Sequence, residues 1–254
     1  MTTEHHQFET VLVHLRDLQR QSERRFMHTE SSFLNEEEQA EALRRFPESS
    51  LIRYEGGYPG ALKKKVIFLR DEEDDFSDIV CIIAAIDQRF RKITHRDVLG
   101  SLMSLQIDRH SFGDFWIEPE RIVLYTSHQM AKFLCDNLLR ISSLSVSFEP
   151  SEEQPVQVFH RREFEAVVSS ERMDVLVACL ANISRAKAVS MIREGKVQLN
   201  HRPLVKPDEV CDNDSTISIR GSGRYHFLGI VRRTRKNRIV VRFSQDIQEG
   251  ERKR

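Results

Sequence analysis

With 254 residues, 39 Lys and Arg against 39 Asp and Glu, and 39% hydrophobic residues, the chain is long enough for two or three compact units. No apolar run approaches the roughly 18–20 residues that cross a bilayer, which excludes a membrane-spanning protein built on helices. The zero net charge conceals a split: residues 1–159 hold 19 basic and 27 acidic side chains, whereas residues 160–254 hold 20 and 12, so the C-terminal part is the one suited to a polyanion.

In chain order, Phe8, Val11, Leu12, Leu15 and Leu18 follow helical spacing, and Asn35 with Glu38 three residues later announces a second helix that Pro47 stops. LIRYEGGYPG and KKKVIFLR read as two short strands around a Gly-Gly-Tyr-Pro-Gly turn. The acidic DEEDDFSD then reads as a solvated connector, with a boundary near residue 75. IVCIIAAI (79–86) reads as a buried strand, Thr94 as the cap of a helix, DFWIE (114–118) and RIVLYT (121–126) as strands, Ser127 as the cap of another helix, and LSVSFE (144–149) as a last strand. This βαββαβ order is the pattern shared by ferredoxin-like and RNA-recognition domains. HSFGDFWIE, on the second strand, lacks the basic and aromatic positions of a base-stacking platform.

After the linker EPSEEQPVQ, Met173, Leu176, Val177 and Leu180 mark one amphipathic helix. Ser184 caps a second, with Ala188, Met191 and Ile192 on its apolar side and Gly195 placed to end it. Strand-like KVQLN and TISIR follow, then a hairpin of YHFLGIVRR and RIVVRF with the basic tip RRTRKN. The expected fold class is α+β in three parts: a helical unit with a β-hairpin over 1–75, a ferredoxin-like or RRM-like domain over 76–152, and a small α+β module over 165–245.

Cations gather in SRAKAVSMIREGKVQLN, where Arg185, Lys187, Arg193 and Lys196 face a single acid, Glu194. Arg185 and Arg193 are eight residues apart, so on a helix they lie within about 80° of one another. Arg185 also sits in the first turn, where free N–H groups and the dipole favour phosphate. It is expected at an exposed helix edge with no buried partner, and Asp174 is expected as a structural hydrogen-bonding or ion-pairing group. His95-Arg96-Asp97 is not a kinase loop, because no Gly-rich phosphate loop or DFG accompanies it; Thr94 and Asp97 read instead as a helix-start pair. Arg109 and His110, on the turn before Gly113-Asp114, are candidates for contact with nucleic acid. Cys81, Cys135, Cys179 and Cys211 form no CxxC pair and read as reduced thiols in or near a core. The expectation is therefore no catalytic residue, no metal and no cofactor. MTTEHHQFET has neither region of a secretion signal, which predicts a cytoplasmic protein.

The stretch RMDVLVACLANISRAKAVSMIREGKVQLNHRPLVKPDEVCDNDSTISIR resembles the S4 RNA-binding domain, whose pattern runs R-L-D, S-R-x-x-A, I-x-x-G-x-V-x-V-N-G, then a Pro and G-D-x-I. Arg172 and Asp174 stand for the first element, Ser184, Arg185 and Ala188 for the second, Ile192, Gly195, Val197 and Asn200 for the third, and Pro207 and Asp214 for the end. His201 and Asn213 replace glycines of the pattern, at turn sites where positive φ is often needed. Upstream, THRDVLGSLMSLQIDRHSFGDFWIE is similar to the H-R-D-x-L-G-x-L-x-x-L-G-x-x-R-x-x-x-G-D segment of the YlmH family, bacterial proteins with a C-terminal S4 domain. FLN and YEGGYPGALKKK resemble that family's F-L-(D/N) and GGY segments, with Leu62-Lys63-Lys64-Lys65 in place of the usual E-R-K-R run.

The resemblance implies a non-enzymatic factor that joins stalled large ribosomal subunits carrying peptidyl-tRNA and supports C-terminal tailing. Its partners would be 23S rRNA and tRNA, with no membrane and no small-molecule substrate, and the protein would be a monomer. The RNA-binding set it implies is Arg172, Ser184, Arg185, Lys187, Arg193 and Lys196, to which the basic hairpin adds Arg232, Arg235 and Lys236, and the central turn Arg109. The alternatives are an RNA-modifying enzyme of the pseudouridine synthase type and a cell-division interaction protein. In S4-bearing synthases the catalytic domain follows the S4 domain, whereas here only about ten residues follow RIVVRF. A tyrosyl-tRNA synthetase would need HIGH- and KMSKS-type sequences that are not present.

Overall fold

The computed structural model describes residues 2–89 and 91–248, and the chain divides into two compact units, Met1–Gln157 and Val158–Arg254. The first unit opens with helix α1 (Thr2–Arg25), strand β1 (Thr29–Glu30), helix α2 (Glu36–Arg45) and strands β2 (Ile52–Glu55) and β3 (Lys65–Phe68). The strands form an antiparallel sheet in the order β1-β3-β2. Leu15, Leu34, Ala42, Phe46, Tyr54, Val66 and Phe68 close a core between helices and sheet. Helix α2 starts where the pattern placed it: Asn35 Oδ1 accepts from the N–H groups of Glu37 and Glu38, each at 2.9 Å, and the Glu38 carboxylate accepts back from the Asn35 N–H at 2.8 Å.

The same unit continues through β4 (Ile79–Ala85), α3 (His95–Ser104), a 3₁₀ turn (Arg109–Ser111), β5 (Phe112–Ile117), β6 (Arg121–Ser127), α4 (His128–Asn137), β7 (Arg140–Ile141), β8 (Leu144–Ser145) and β9 (Phe148–Ser151). The four long strands run antiparallel in the order β5-β6-β4-β9, the arrangement the βαββαβ order demands. Thr94 and Ser127 cap α3 and α4 as their spacing predicts. Ile82, Ala84, Phe112, Ile122, Leu124 and Leu134 are among the buried side chains of the core that these helices help to close. One boundary differs. The last strand, expected over 144–149, occupies Phe148–Ser151, because Arg140–Ile141 and Leu144–Ser145 close on each other as a small hairpin around Ser142, whose φ is +54°. That turn uses the first residues of the apolar run before the main sheet is reached.

The opposite face of this sheet is covered too. Tyr58 and Ala61, from the Gly-Gly-Tyr-Pro-Gly loop, pack on Cys81, Trp116, Val123 and Tyr125. Gly57, at φ +90°, lies so close to the Tyr125 ring that a Cβ would stand 2.4 Å from it.

The second unit holds β10 (Phe159–Val168), α5 (Met173–Leu180), α6 (Arg185–Arg193), β11 (Val197–Leu199), β12 (Arg202–Pro203), β13 (Ser215–Ile219), β14 (Gly223–Arg233) and β15 (Ile239–Gln248). The strands form one antiparallel sheet, ordered β10-β15-β14-β13-β11-β12. Met173, Leu176, Val177, Ala188 and Ile192 of the two helices bury against Ile217, Phe227, Val241 and Phe243. Strand β10 was not foreseen: it pairs with β15 at ten positions, from Phe159↔Gln248 to Val168↔Ile239. Its local sign was the alternation of Phe164, Ala166 and Val168 with Glu163, Glu165 and Val167. Cys81 and Cys211 are buried, but Cys179 is exposed on α5. No single helix among the described residues is long and apolar enough to cross a membrane; α5 and α6 together are bent by 107°.

Candidate nucleic-acid interface

The loop before β13 fixes the start of α5. Pro207 and Glu209 offer their carbonyls to the N–H groups of Asp174 and Met173, each at 2.8 Å, and the Asp174 side chain is thereby held inside, only 4% exposed. Arg172, the residue preceding the helix, makes no side-chain cap. Its guanidinium turns to Asp174 instead, with Nε donating to Oδ1 and Nη2 to Oδ2 at 3.2 Å. From across the α5–α6 turn Arg185 adds Nε and Nη2 to Oδ2, at 2.9 and 2.8 Å. Burial by itself raises the Asp174 carboxyl, but the hydrogen bonds from Arg172 and Arg185 outweigh it and hold the group below its ordinary range. One carboxylate thus orients two guanidinium groups and leaves a net positive charge, with Arg185 56% exposed to solvent.

This corrects the expectation that Arg185 stands at a helix edge with no buried partner. It does have one, because the turn between two short helices brings positions eleven residues apart together. Asp174 takes the ion-pairing part expected of it. Ser184 is occupied as a cap, its Oγ accepting from the Lys187 N–H at 3.2 Å. Lys187 and Arg193 are exposed on α6, and Lys196 pairs with Glu194.

At the C-terminal end of α6, Lys196, Gln198, Ser218, Arg220 and Arg224 line a cleft of about 460 Å³ with Gly195 and Gly223. Arg220 and Arg224 were not singled out from the sequence, although both bracket the turn that joins β13 to β14. The remaining basic candidates form a separate group on the β14–β15 hairpin. Arg232 and Arg242 both pair with Glu165 of β10, at 2.9 and 3.2 Å, while Arg235 and Lys236 are exposed at the tip. The tip is closed by a 2.7 Å hydrogen bond from the Thr234 N–H to the Arg238 carbonyl, with Asn237 at φ +58°.

Arg109 lies in the first unit, exposed on the 3₁₀ turn. Its carbonyl accepts from Lys63 Nζ at 2.7 Å, as does that of Phe112 at 3.0 Å. Burial pulls the Lys63 ammonium down to about 8, partly countered by Asp114. Asp114 in turn accepts from Tyr58 Oη at 2.8 Å and from the N–H groups of Leu62 and Lys63 at 2.6 and 3.2 Å. The Gly-Gly-Tyr segment and the segment from His95 to Asp114 therefore meet around one carboxylate, with Tyr58 and Asp114 56 residues apart in sequence. His110 is taken up by the fold: Nε2 lies 2.9 Å from Glu38 and Nδ1 2.7 Å from Asp108, and the hydrogen bond to Glu38 above all raises it to about 9.

Three comparisons bear on this geometry. Residues 71–155 match the family model described as "Putative RNA-binding domain in YlmH". A relative from Bacillus subtilis (strain 168), "Ribosome-associated protein quality control protein P2", is 26% identical over 200 residues, covering 76% of this chain and 77% of the relative. Among solved structures, "Cell division protein ylmH from Streptococcus pneumoniae" aligns with 59% of this chain and 93% of its own at 18% identity, with a TM-score of 0.46.

Proposed function

We propose, for a chain whose residues 71–155 match the model "Putative RNA-binding domain in YlmH", a non-enzymatic role in binding ribosomal RNA. The similarity to a ribosome-associated quality control protein supports a place at the ribosome. In its finer form the proposal is that the chain acts in the cytoplasm on the large subunit, touching 23S rRNA and peptidyl-tRNA, as a monomer, during rescue of stalled ribosomes and C-terminal tailing. Residues 165–245 serve as an S4-type module, and β10 belongs to its sheet.

The observation that carries this reading is the pair of guanidinium groups that Asp174 holds, one from the start of α5 and one from the start of α6. Held at one carboxylate, they lose less freedom on meeting a phosphate than two mobile side chains would. The cations of α6 and of its C-terminal cleft extend the same charge along one helix, in a unit with 20 basic and 12 acidic side chains.

Cosedimentation of the full chain with purified large subunits, with and without peptidyl-tRNA, tests the proposal. Binding that weakens steeply with salt supports it, and failure to sediment with either particle refutes it. Incubation with rRNA followed by nucleoside analysis addresses the enzymatic alternative: protein-dependent pseudouridine or methylation would overturn the non-enzymatic role.

A further inference from the structure

Ferredoxin-like RNA binders stack bases on the open face of the sheet. Here that face is shut. Trp116 and Tyr125 stack with ring centroids 5.9 Å apart, but both are buried, together with Tyr58, which lies over them. Tyr125 Oη also donates to the Pro155 carbonyl at 2.8 Å. RNA that meets this domain must therefore use another surface.

The helical side offers one. Arg96, Gly100, Ser101, Ser104, Arg140 and Ser142 line a cleft of about 450 Å³ at α3 and the β7–β8 turn, with Asp97 as its only acid. Asp97 is already engaged, accepting from the Thr94 N–H and Oγ at 2.9 and 2.6 Å and lying 3.8 Å from Arg91. Arg96 and Arg140 are exposed and hold no ion pair among the described residues. Residues 1–159 carry an acidic surplus of eight, so two unpaired arginines at one hydroxyl-rich cleft stand out against their surroundings.

Gly100 is the second observation. It sits in the middle of the ten-residue helix α3, where glycine is the poorest helix former after proline. A Cβ there would meet nothing within 4 Å, and its φ is not among the positive ones. Neither packing nor backbone conformation asks for glycine, and what its absent side chain leaves is bare helix at the cleft.

We infer that this cleft is a second RNA-backbone site, in which Arg96 and Arg140 take phosphate oxygens and Gly100 lets the sugar-phosphate chain lie against α3. The serine hydroxyls supply donors and acceptors for phosphate and 2′-hydroxyl groups. This rests on the RNA-binding role proposed above.

The test uses the full chain, a fluorescein-labelled stem-loop of rRNA sequence, and purified large subunits. Removing two phosphate contacts lowers the slope of log K against log salt by about 1.8, a loss on the order of 50-fold in affinity near 0.1 M salt. Arg96→Ala with Arg140→Ala should show that loss in stem-loop binding, with an unchanged melting point. Gly100→Gln should weaken binding while leaving the melting point unchanged or raised, which a merely structural role would not do. Normal stem-loop binding by either variant overturns the inference, and if Arg185→Ala alone loses affinity, the proposed function stands without this site. Normal stem-loop binding with lost large-subunit binding would assign the cleft to a ribosomal protein instead. A wild-type chain that binds no RNA would refute both readings.

Discussion

Replacing Arg185 with alanine removes one of the two guanidinium partners of Asp174, and the structure sets how much that should cost. Arg185 donates to Oδ2 at 2.9 and 2.8 Å, while Arg172 supplies two longer bonds at 3.2 Å. Leaving a buried charge with no partner costs roughly 3–5 kcal/mol. Here Arg172 remains and Arg185 is 56% exposed, so with solvent screening the expected loss is about 1–2 kcal/mol. In a unit of this size that lowers the melting point by roughly 5–10 °C. Alanine is a good helix former, so α6 itself is not weakened. If the same guanidinium meets a phosphate, affinity for large subunits falls by a further 1–3 kcal/mol, roughly, and the salt slope of log K by about one.

Thermal melting beside a salt titration of binding separates these effects for wild type, Arg185→Ala, Arg185→Lys and Asp174→Asn. Lysine keeps the charge without the planar fork and should recover only part of either loss. Asparagine is the sharper variant: it makes the site more positive but releases both arginines. Binding that weakens despite the added charge means that the carboxylate sets the guanidinium groups in place; binding that holds or tightens refutes that reasoning. The Asp174 carboxyl is lowered from 3.8 in the folded chain, so its contribution to stability is present above about pH 4 and is lost as pH falls further. Asp174→Asn should flatten that acid limb.

Other outcomes follow from single features. His110 is raised from 6.5 to about 9 in the folded chain, so its contribution is complete below pH 6.5 and is lost as pH rises through 9; in urea melts, His110→Gln should remove that alkaline loss. Asn200, at φ +50° in the turn between β11 and β12, accepts at Oδ1 from the Thr216 N–H at 2.8 Å, so Asn200→Ala, which loses that bond and keeps the positive φ, should destabilise the second unit by about 1–2 kcal/mol in urea melts, and an unchanged midpoint would refute this. A fragment of residues 158–248 should melt cooperatively and stay soluble, whereas 165–245, which cuts β10 and bares the edge of β15, should be less stable and prone to aggregate, as size-exclusion chromatography and circular dichroism would report.

Legibility in the sequence followed the range of the interactions. Asn35, Thr94, Ser127 and Ser184 could be read as caps because each acts on backbone groups two or three residues away. Strand β10 was missed because four of its ten residues are charged and its partner, β15, begins at Ile239, more than seventy positions further on. Arg172, Asp174 and Arg185 were each visible, but their joining depends on the bend between α5 and α6, which no local pattern encodes. The covering of Trp116 and Tyr125 was equally hidden, since the loop that carries Tyr58 lies more than fifty residues earlier.

These two hidden features bear on one question, namely how a chain of this kind would choose its RNA. Base stacking needs exposed aromatic faces, and the aromatic side chains of the first unit's sheet are buried. Base-edge reading needs polar groups presented in a groove, whereas the ordered cations here are guanidinium groups at a helix start, suited to phosphate. On the proposed reading, discrimination would then come from the spacing of phosphates in a folded RNA, with the clamped pair at Asp174 fixing one point of the ruler. Such recognition tolerates changes of base sequence that preserve RNA shape and is sensitive to salt, which is what a factor for one particular place on a large, folded RNA requires.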